Sequence, residues 1–210
     1  MKLVIGNKTY SSWSLRPWLL MKHFSIPFEE ILIKLDQPGT TSEILKYSPS
    51  GRVPALIDGD LIVWESLAIM EYLNEKFPDR GMYPEKIEPR AIARSMSNEM
   101  HAGFNRLREH LSFHAKKRLS EFDYSPAQKD ILRIQQLWSH SLKLTGGPFL
   151  CGEFGIVDAM YAPVVGRFQT YGVPLQGALA KYAERILSLP AMREWYIGAA
   201  HEDFIAADHE

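Results

Sequence analysis

Over its first 77 residues this chain alternates short strand-like runs with helical patterns, and past about residue 80 the strand signals stop. Neither a uniformly helical nor a uniformly β fold accommodates that switch. Leu3-Val4-Ile5 is a continuous apolar run, as expected of a strand covered on both faces. Residues 14–24 read as a helix with Leu15, Trp18 and Leu19 on one face, Pro17 in its first turn and Pro27 as its stop. Ile31, Ile33 and Leu35 alternate with Leu32 and Lys34 in a second strand, and residues 41–47 form a short helix before the turn Ser48-Pro49-Ser50-Gly51. Val53–Ile57 and Leu61–Trp64 flank Asp58-Gly59-Asp60, a hairpin signal. From Ser66 the spacing of Leu67, Met70, Leu73 and Phe77 is helical. The order β-α-β-α-β-β-α predicts an α/β domain over residues 1–78.

After a linker over 79–88, residues 89–210 read as an all-helical domain. Ile92, Met96, Met100, Gly103, Leu107 and Leu111 keep intervals of three to four, predicting one long amphipathic helix. Ser125-Pro126-Ala127-Gln128 combines an N-cap serine, a proline at the first helical position and a glutamine three residues after the cap. That helix continues through Ile131, Ile134, Trp138 and Leu142 to Gly146-Gly147-Pro148, and further helices are predicted at 156–171, 177–188 and 190–199.

Composition excludes several classes. A 46% hydrophobic content argues against disorder, and 24 basic against 25 acidic residues remove the electrostatic motive for binding nucleic acid or an anionic membrane. Cys151 is the only cysteine, so no intramolecular disulfide is possible and a reducing compartment is expected. The opening MKLVIGNKTYSSW falls short of a signal-peptide core, and no run approaches the ~20 apolar residues of a membrane span. A cytoplasmic protein is expected.

Four local features carry chemistry. Tyr10-Ser11-Ser12-Trp13-Ser14-Leu15-Arg16 lies between the first strand and helix, where unpaired backbone N–H groups and a serine hydroxyl suit an anion. The same serines serve equally as helix caps, the stronger reading on local sequence. In Arg52-Val53-Pro54-Ala55-Leu56 a proline opens a strand. A cis Val53–Pro54 bond would turn neighbouring backbone groups toward an extended peptide, but trans is expected, since only ~5% of such bonds are cis. Glu65-Ser66 opens the third helix, where Ser66 with its N–H groups suits a carboxylate and Glu65 an ammonium; an ordinary cap is the alternative. Asp158 falls three residues after Gly155, ahead of a helix containing Pro163, and reads as a structural capping acid.

Together, in this order and spacing, these features resemble a cytosolic glutathione S-transferase over essentially the whole chain. Ser11-Ser12-Trp13-Ser14-Leu15-Arg16 is similar to the Ser-Ser-Cys-Ser-x-Arg signature of the zeta class, which includes maleylacetoacetate isomerase; Trp13 stands where that signature has Cys, and Gly155 where the family's capping motif has Ser or Thr. The resemblance implies a thioredoxin-like N-terminal domain, an all-α C-terminal domain and a homodimer. It implies that Ser11 holds the glutathione sulfur as thiolate, with Ser12 exchanged for it by a one-residue shift. Val53 and Pro54 would meet the cysteinyl backbone, Glu65 and Ser66 the γ-glutamyl end, and Gln37 and Arg52 the glycyl end. Glu99 would reach the γ-glutamyl group from a second subunit, while Met100, His101 and Phe104 line an electrophile pocket; Arg16 would add positive potential or form an ion pair. Glutathione is then a co-substrate, no cofactor is needed, and conjugation to a small hydrophobic electrophile is the leading activity. The alternatives are glutathione-dependent isomerisation of a maleyl-type diacid, or a non-catalytic binding module.

Other features carry less. His110 and His114 have i, i+4 spacing without a third ligand, so no metal is expected. Cys151 reads as a small buried hydrophobe, Asn7-Lys8-Thr9 as an unmodified glycosylation sequon, and the tail HEDFIAADHE as a solvated acidic terminus.

Overall fold

The computed structural model describes residues 1–203. Its elements run β1 (Lys2–Gly6), α1 (Ser12–His23), β2 (Glu29–Ile33), α2 (Thr40–Leu45), β3 (Ala55–Asp58), β4 (Leu61–Trp64) and α3 (Ser66–Lys76). Then follow α4 (Ile87–Ala102), α5 (Asn105–His110), α6 (Gln128–Thr145), α7 (Ile156–Thr170), α8 (Gly177–Ser188) and α9 (Pro190–Ala200). The strands form one mixed sheet in the order β2-β1-β3-β4, with β1 and β2 parallel and the other pairs antiparallel. This is the α/β arrangement followed by helices that the sequence predicts.

Alternation along the strands divides the sheet's two covers. Leu3, Ile5 and Leu56 face the large core with α1 and α3, whereas Val4, Ile33 and Ala55 form a small second cluster with Ile44 of α2. Strand β2 begins at Glu29, opposite Lys2 in β1, and ends before Leu35. Among the described residues, no helix is long and apolar enough to cross a membrane.

Three helix starts or breaks differ from expectation. Ser11 caps α1 by accepting from Ser14 N at 3.4 Å, so the helix begins at Ser12 and Pro17 lies beyond its first turn. The long helix predicted through residue 111 is broken. Gly103 is extended and Phe104 takes left-handed φ 61°, where a Cβ at 103 would meet the Glu99 carbonyl oxygen at 2.8 Å. Arg108 in α5 donates to the Met100 carbonyl and, at 3.1 Å, to that of Gly103, supplying partners that a continuing helix would have provided. Ser125 does not cap α6; it opens a 3-10 turn, and its N–H donates to Asp123 Oδ1 at 2.9 Å.

Helix α7 is buried through its centre and packs against both α1 and α4. Its capping acid sits as predicted: Asp158 accepts from Gly155 N and Leu150 N, both at 3.0 Å. Glycine at 155 follows from close approach, since a Cβ there would lie 2.6 Å from the Met82 carbonyl oxygen, which accepts from Ile156 N at 3.0 Å. The acidic tail is not all solvated: Glu202 is bonded to residues 8 and 9, while the stretch from 204 onward lies outside the described residues.

Candidate active site

A cavity of about 360 Å³ opens where the start of α1, the 50–54 segment, the start of α3 and the end of α4 meet. Trp13, Ser50, Arg52, Val53, Pro54, Glu65, His101 and Ala102 line it. Five of these, Arg52, Val53, Pro54, Glu65 and His101, were singled out from sequence; Trp13, Ser50 and Ala102 were not. A larger groove of about 490 Å³ between α7, α8 and α9 is lined by apolar residues together with Gln169, Glu184, Ser188 and Arg193, none of them in the motifs singled out from the sequence.

The Val53–Pro54 bond is cis, contrary to the trans expectation, and both residues face the cavity. Glu65 holds φ 71° and ψ 127°, a conformation that costs a non-glycine residue about 1–3 kcal/mol. Among the described residues no side chain caps α3, so the N–H groups of its first turn, next to the cavity-lining Glu65, have no side-chain acceptor. Ser66 is buried, and its Oγ accepts from Arg16 at 3.4 Å.

Positive charge gathers behind Trp13. The guanidinium carbons of Arg16 and Arg108 lie 4.1 and 4.6 Å from the centroid of its ring. Arg16 is fully buried, not a surface residue, and among the described residues neither Arg16, Arg108 nor Arg167 forms an ion pair. The Nε of Arg16 has no hydrogen-bond partner among the described residues. Burial, then the neighbouring Arg108 and Arg167, hold the Arg16 guanidinium well below its ordinary pKa. Burial and Arg108 bring Arg167 down to about 9, and burial lowers Arg108 too. Such a surplus of buried cation suits an anionic guest.

His101 packs edge-on to Trp13 at 5.4 Å, with its Nε2 3.8 Å from Glu65 Oε2. Burial depresses its pKa, opposed by Glu65 and reinforced by Arg16 and Arg108, so the imidazole is neutral at neutral pH.

The two serines are placed differently. Ser11 donates to Ser14 Oγ at 2.7 Å, so its proton is committed within the cap. Ser12 Oγ accepts from buried Arg167 at 3.2 Å, and no acceptor for its own proton is recorded among the described residues. Neither lines the cavity; adjacent Trp13 does.

The remaining predicted contacts lie elsewhere. Gln37 is exposed and donates to the Asp36 carbonyl. Glu99 makes a bidentate pair with Arg133 of α6 at 2.7 and 2.9 Å, which commits both of its oxygens. Met100 and Phe104 are buried in the large core and do not line this cavity, the latter because the break after α4 turns it inward. Among the described residues no group of three or more His, Cys, Asp or Glu side chains is arranged to hold a metal.

Comparison with known proteins agrees with this geometry. Residues 10–76 match the family model for the glutathione S-transferase N-terminal domain, and residues 90–197 the model for its C-terminal domain. A stringent starvation protein A homolog from Histophilus somni is 29% identical over 160 residues, covering 72% of this chain and 71% of that protein. Glutathione S-transferase 1 from Dianthus caryophyllus is 29% identical over 169 residues, covering 79% and 76%. The crystal structure of a glutathione transferase homolog from Burkholderia GL BGR1, with bound glutathione, superposes with a TM-score of 0.70 at 23% identity, covering 96% of this chain and 98% of that one.

Proposed function

The chain belongs to the glutathione S-transferase family, and we propose that its cavity binds glutathione and presents the sulfur, as thiolate, to a small electrophile. The uncapped start of α3 takes the γ-glutamyl carboxylate, with the buried Ser66 hydroxyl behind the cavity wall, and Glu65, which lines the cavity, takes the ammonium. The backbone of Val53 pairs with the cysteinyl unit, and Arg52 with Ser50 faces the glycyl carboxylate. The observation that carries this reading is the unpaired positive charge behind Trp13, which favours an ionised sulfur over a neutral thiol.

Ser12 is the better sulfur donor. The resemblance places Ser11 first, but Ser11 gives its proton to Ser14, whereas Ser12 receives from Arg167 and keeps its own proton for an acceptor. In the reaction the thiol proton leaves to solvent, the sulfur lone pair forms the new S–C bond, and the leaving group departs with its bonding electrons. Absorbance of bound glutathione thiolate, measured for wild type, Ser11→Ala and Ser12→Ala, tests the assignment. Ser12→Ala should lose the thiolate band and about 100-fold in kcat, while Ser11→Ala costs about 1 kcal/mol of cap stability and keeps the band. Equal turnover in all three refutes it.

The same cationic surplus supports a second reading, isomerisation of a maleyl-type diacid. There the thiolate adds to the double bond, permits rotation and leaves again, so glutathione is not consumed, whereas conjugation uses it stoichiometrically. A non-catalytic binding module, the remaining alternative, predicts no thiolate absorbance. A homodimer is part of the proposal, supported by exposed Leu61 and Trp64 on the edge strand β4 and Ile87 at the start of α4. A cytoplasmic setting is supported by the single, unpaired cysteine.

A further inference from the structure

The loop that delivers the two serines is held from the far end of the chain. Glu202 follows α9, fixed there by its own N–H on the Ala199 carbonyl at 3.1 Å and by Lys116 on its carbonyl oxygen. Its side chain reaches back across the molecule to residues 8 and 9. Oε1 accepts from Lys8 N at 2.6 Å, and Oε2 accepts from Thr9 N at 2.9 Å and from Thr9 Oγ1 at 2.6 Å. Three donors on one carboxylate leave no room for a neutral substitute, because an amide presents one acceptor and turns an N–H toward a donor.

These residues are the outer half of a turn. On its inner side, Tyr10 N and Ser11 N both donate to the Asn7 carbonyl, at 3.2 and 2.8 Å, and Ser12 N donates to Tyr10 O at 2.9 Å. The carbonyls are held as well: Trp195 Nε1 donates to Lys8 O, and Ala115 N to Thr9 O, each at 2.9 Å. Lys8 and Thr9 thus have every backbone polar group fixed by the helical half; Glu202 accepts from both N–H groups, and the Thr9 hydroxyl also lies 3.4 Å from the Ala199 carbonyl oxygen.

The geometry points to Glu202 as a positioning residue for the sulfur-binding serines, acting through the register of the Asn7–Ser12 turn and touching no substrate. The inference rests on the thiolate reading above. A sub-ångström shift of a hydroxyl relative to the reacting atom is felt in kcat before it is felt in binding, because glutathione is gripped elsewhere, by the 50–54 segment and the start of α3.

The test compares wild type with Glu202→Gln, Thr9→Val, which removes one of the three donors, and Glu194→Gln, which breaks the surface pair between α9 and Lys22. Readouts are kcat, KM for glutathione, and the pH titration of bound thiolate absorbance. Glu202→Gln should lower kcat about ten- to a hundredfold, raise the apparent thiol pKa and leave KM within about twofold. Thr9→Val should move the same quantities less, and Glu194→Gln none of them. Wild-type kcat and titration in both Glu202→Gln and Thr9→Val overturn the positioning role, as does a rise in KM at constant kcat. Should Glu202→Gln fail to fold, Thr9→Val alone decides. Absence of thiolate absorbance in wild type refutes the sulfur reading itself, and the inference with it.

Discussion

Replacing Asp158 with alanine strips the acceptor from two buried N–H groups, those of Leu150 and Gly155, each held at 3.0 Å. A buried donor without a partner costs about 1–3 kcal/mol, so the pair costs about 2–6 kcal/mol. No side chain at Gly155 takes over, since a Cβ there has no space beneath the Met82 carbonyl. The effect depends on pH. Burial pushes the Asp158 carboxyl up to about 7, against ~3.9 in the unfolded chain. Between those values the folded chain keeps a proton that the unfolded chain has released. The contribution of Asp158 is therefore full below about pH 4 and lost as pH rises through about 7, at up to ~1.4 kcal/mol per pH unit. Urea unfolding followed by tryptophan fluorescence reads this directly, because Trp138 and Trp195 are fully buried. With a slope of about 1–3 kcal/mol per molar, the midpoint of Asp158→Ala should fall by about 1–2 M near about pH 5, and by less near about pH 8. An unchanged midpoint refutes the accounting of the two N–H groups. A larger fall at alkaline pH refutes the sign of the protonation argument.

Two further outcomes follow from the cavity. Trp13→Cys, which restores the cysteine of the zeta signature, removes a ring in contact with two guanidiniums and should destabilise by about 1–4 kcal/mol; an unchanged urea midpoint shows that those contacts contribute nothing. His101 should titrate below the ordinary histidine value in a proton NMR pH series, and its neutral-state stabilisation should be lost as pH falls below about 6.5. A His101 midpoint above that value contradicts the dominance of burial and the arginines over Glu65.

Much of the frame was legible in the sequence because it is written in local period. Leu3-Val4-Ile5, the Asp58-Gly59-Asp60 hairpin and the spacing after Ser66 each state their element within a few residues. That Glu65 and the 52–54 run line one cavity was foreshadowed for the same reason: a helix start and a strand-opening proline are local facts. What was not legible depends on partners far along the chain. The break at Gly103 and Phe104 leaves the apolar spacing intact, and the Arg108 bonds that replace helical ones carry no sequence signal. Arg167 meets Ser12 from 155 positions away, and Glu202 meets Lys8 from 194 away. The proposed preference for Ser12 over Ser11 rests on a contact of the same kind, a guanidinium in α7. Trp13 was visible only as a departure from a signature; the structure makes it a wall of the cavity.

The unequal division of the sheet's two covers has a consequence for how the cavity breathes. Trp13 and His101 stand on, and Glu65 immediately precedes, helices rooted in the large core, whereas Ser50 and Arg52 follow α2, whose only buried residue is Ile44. Local opening begins where the least apolar surface is lost, so amide exchange should be fastest across the α2 cover and slowest under α1. That ranking would make one bank of the cleft stiff and the other compliant.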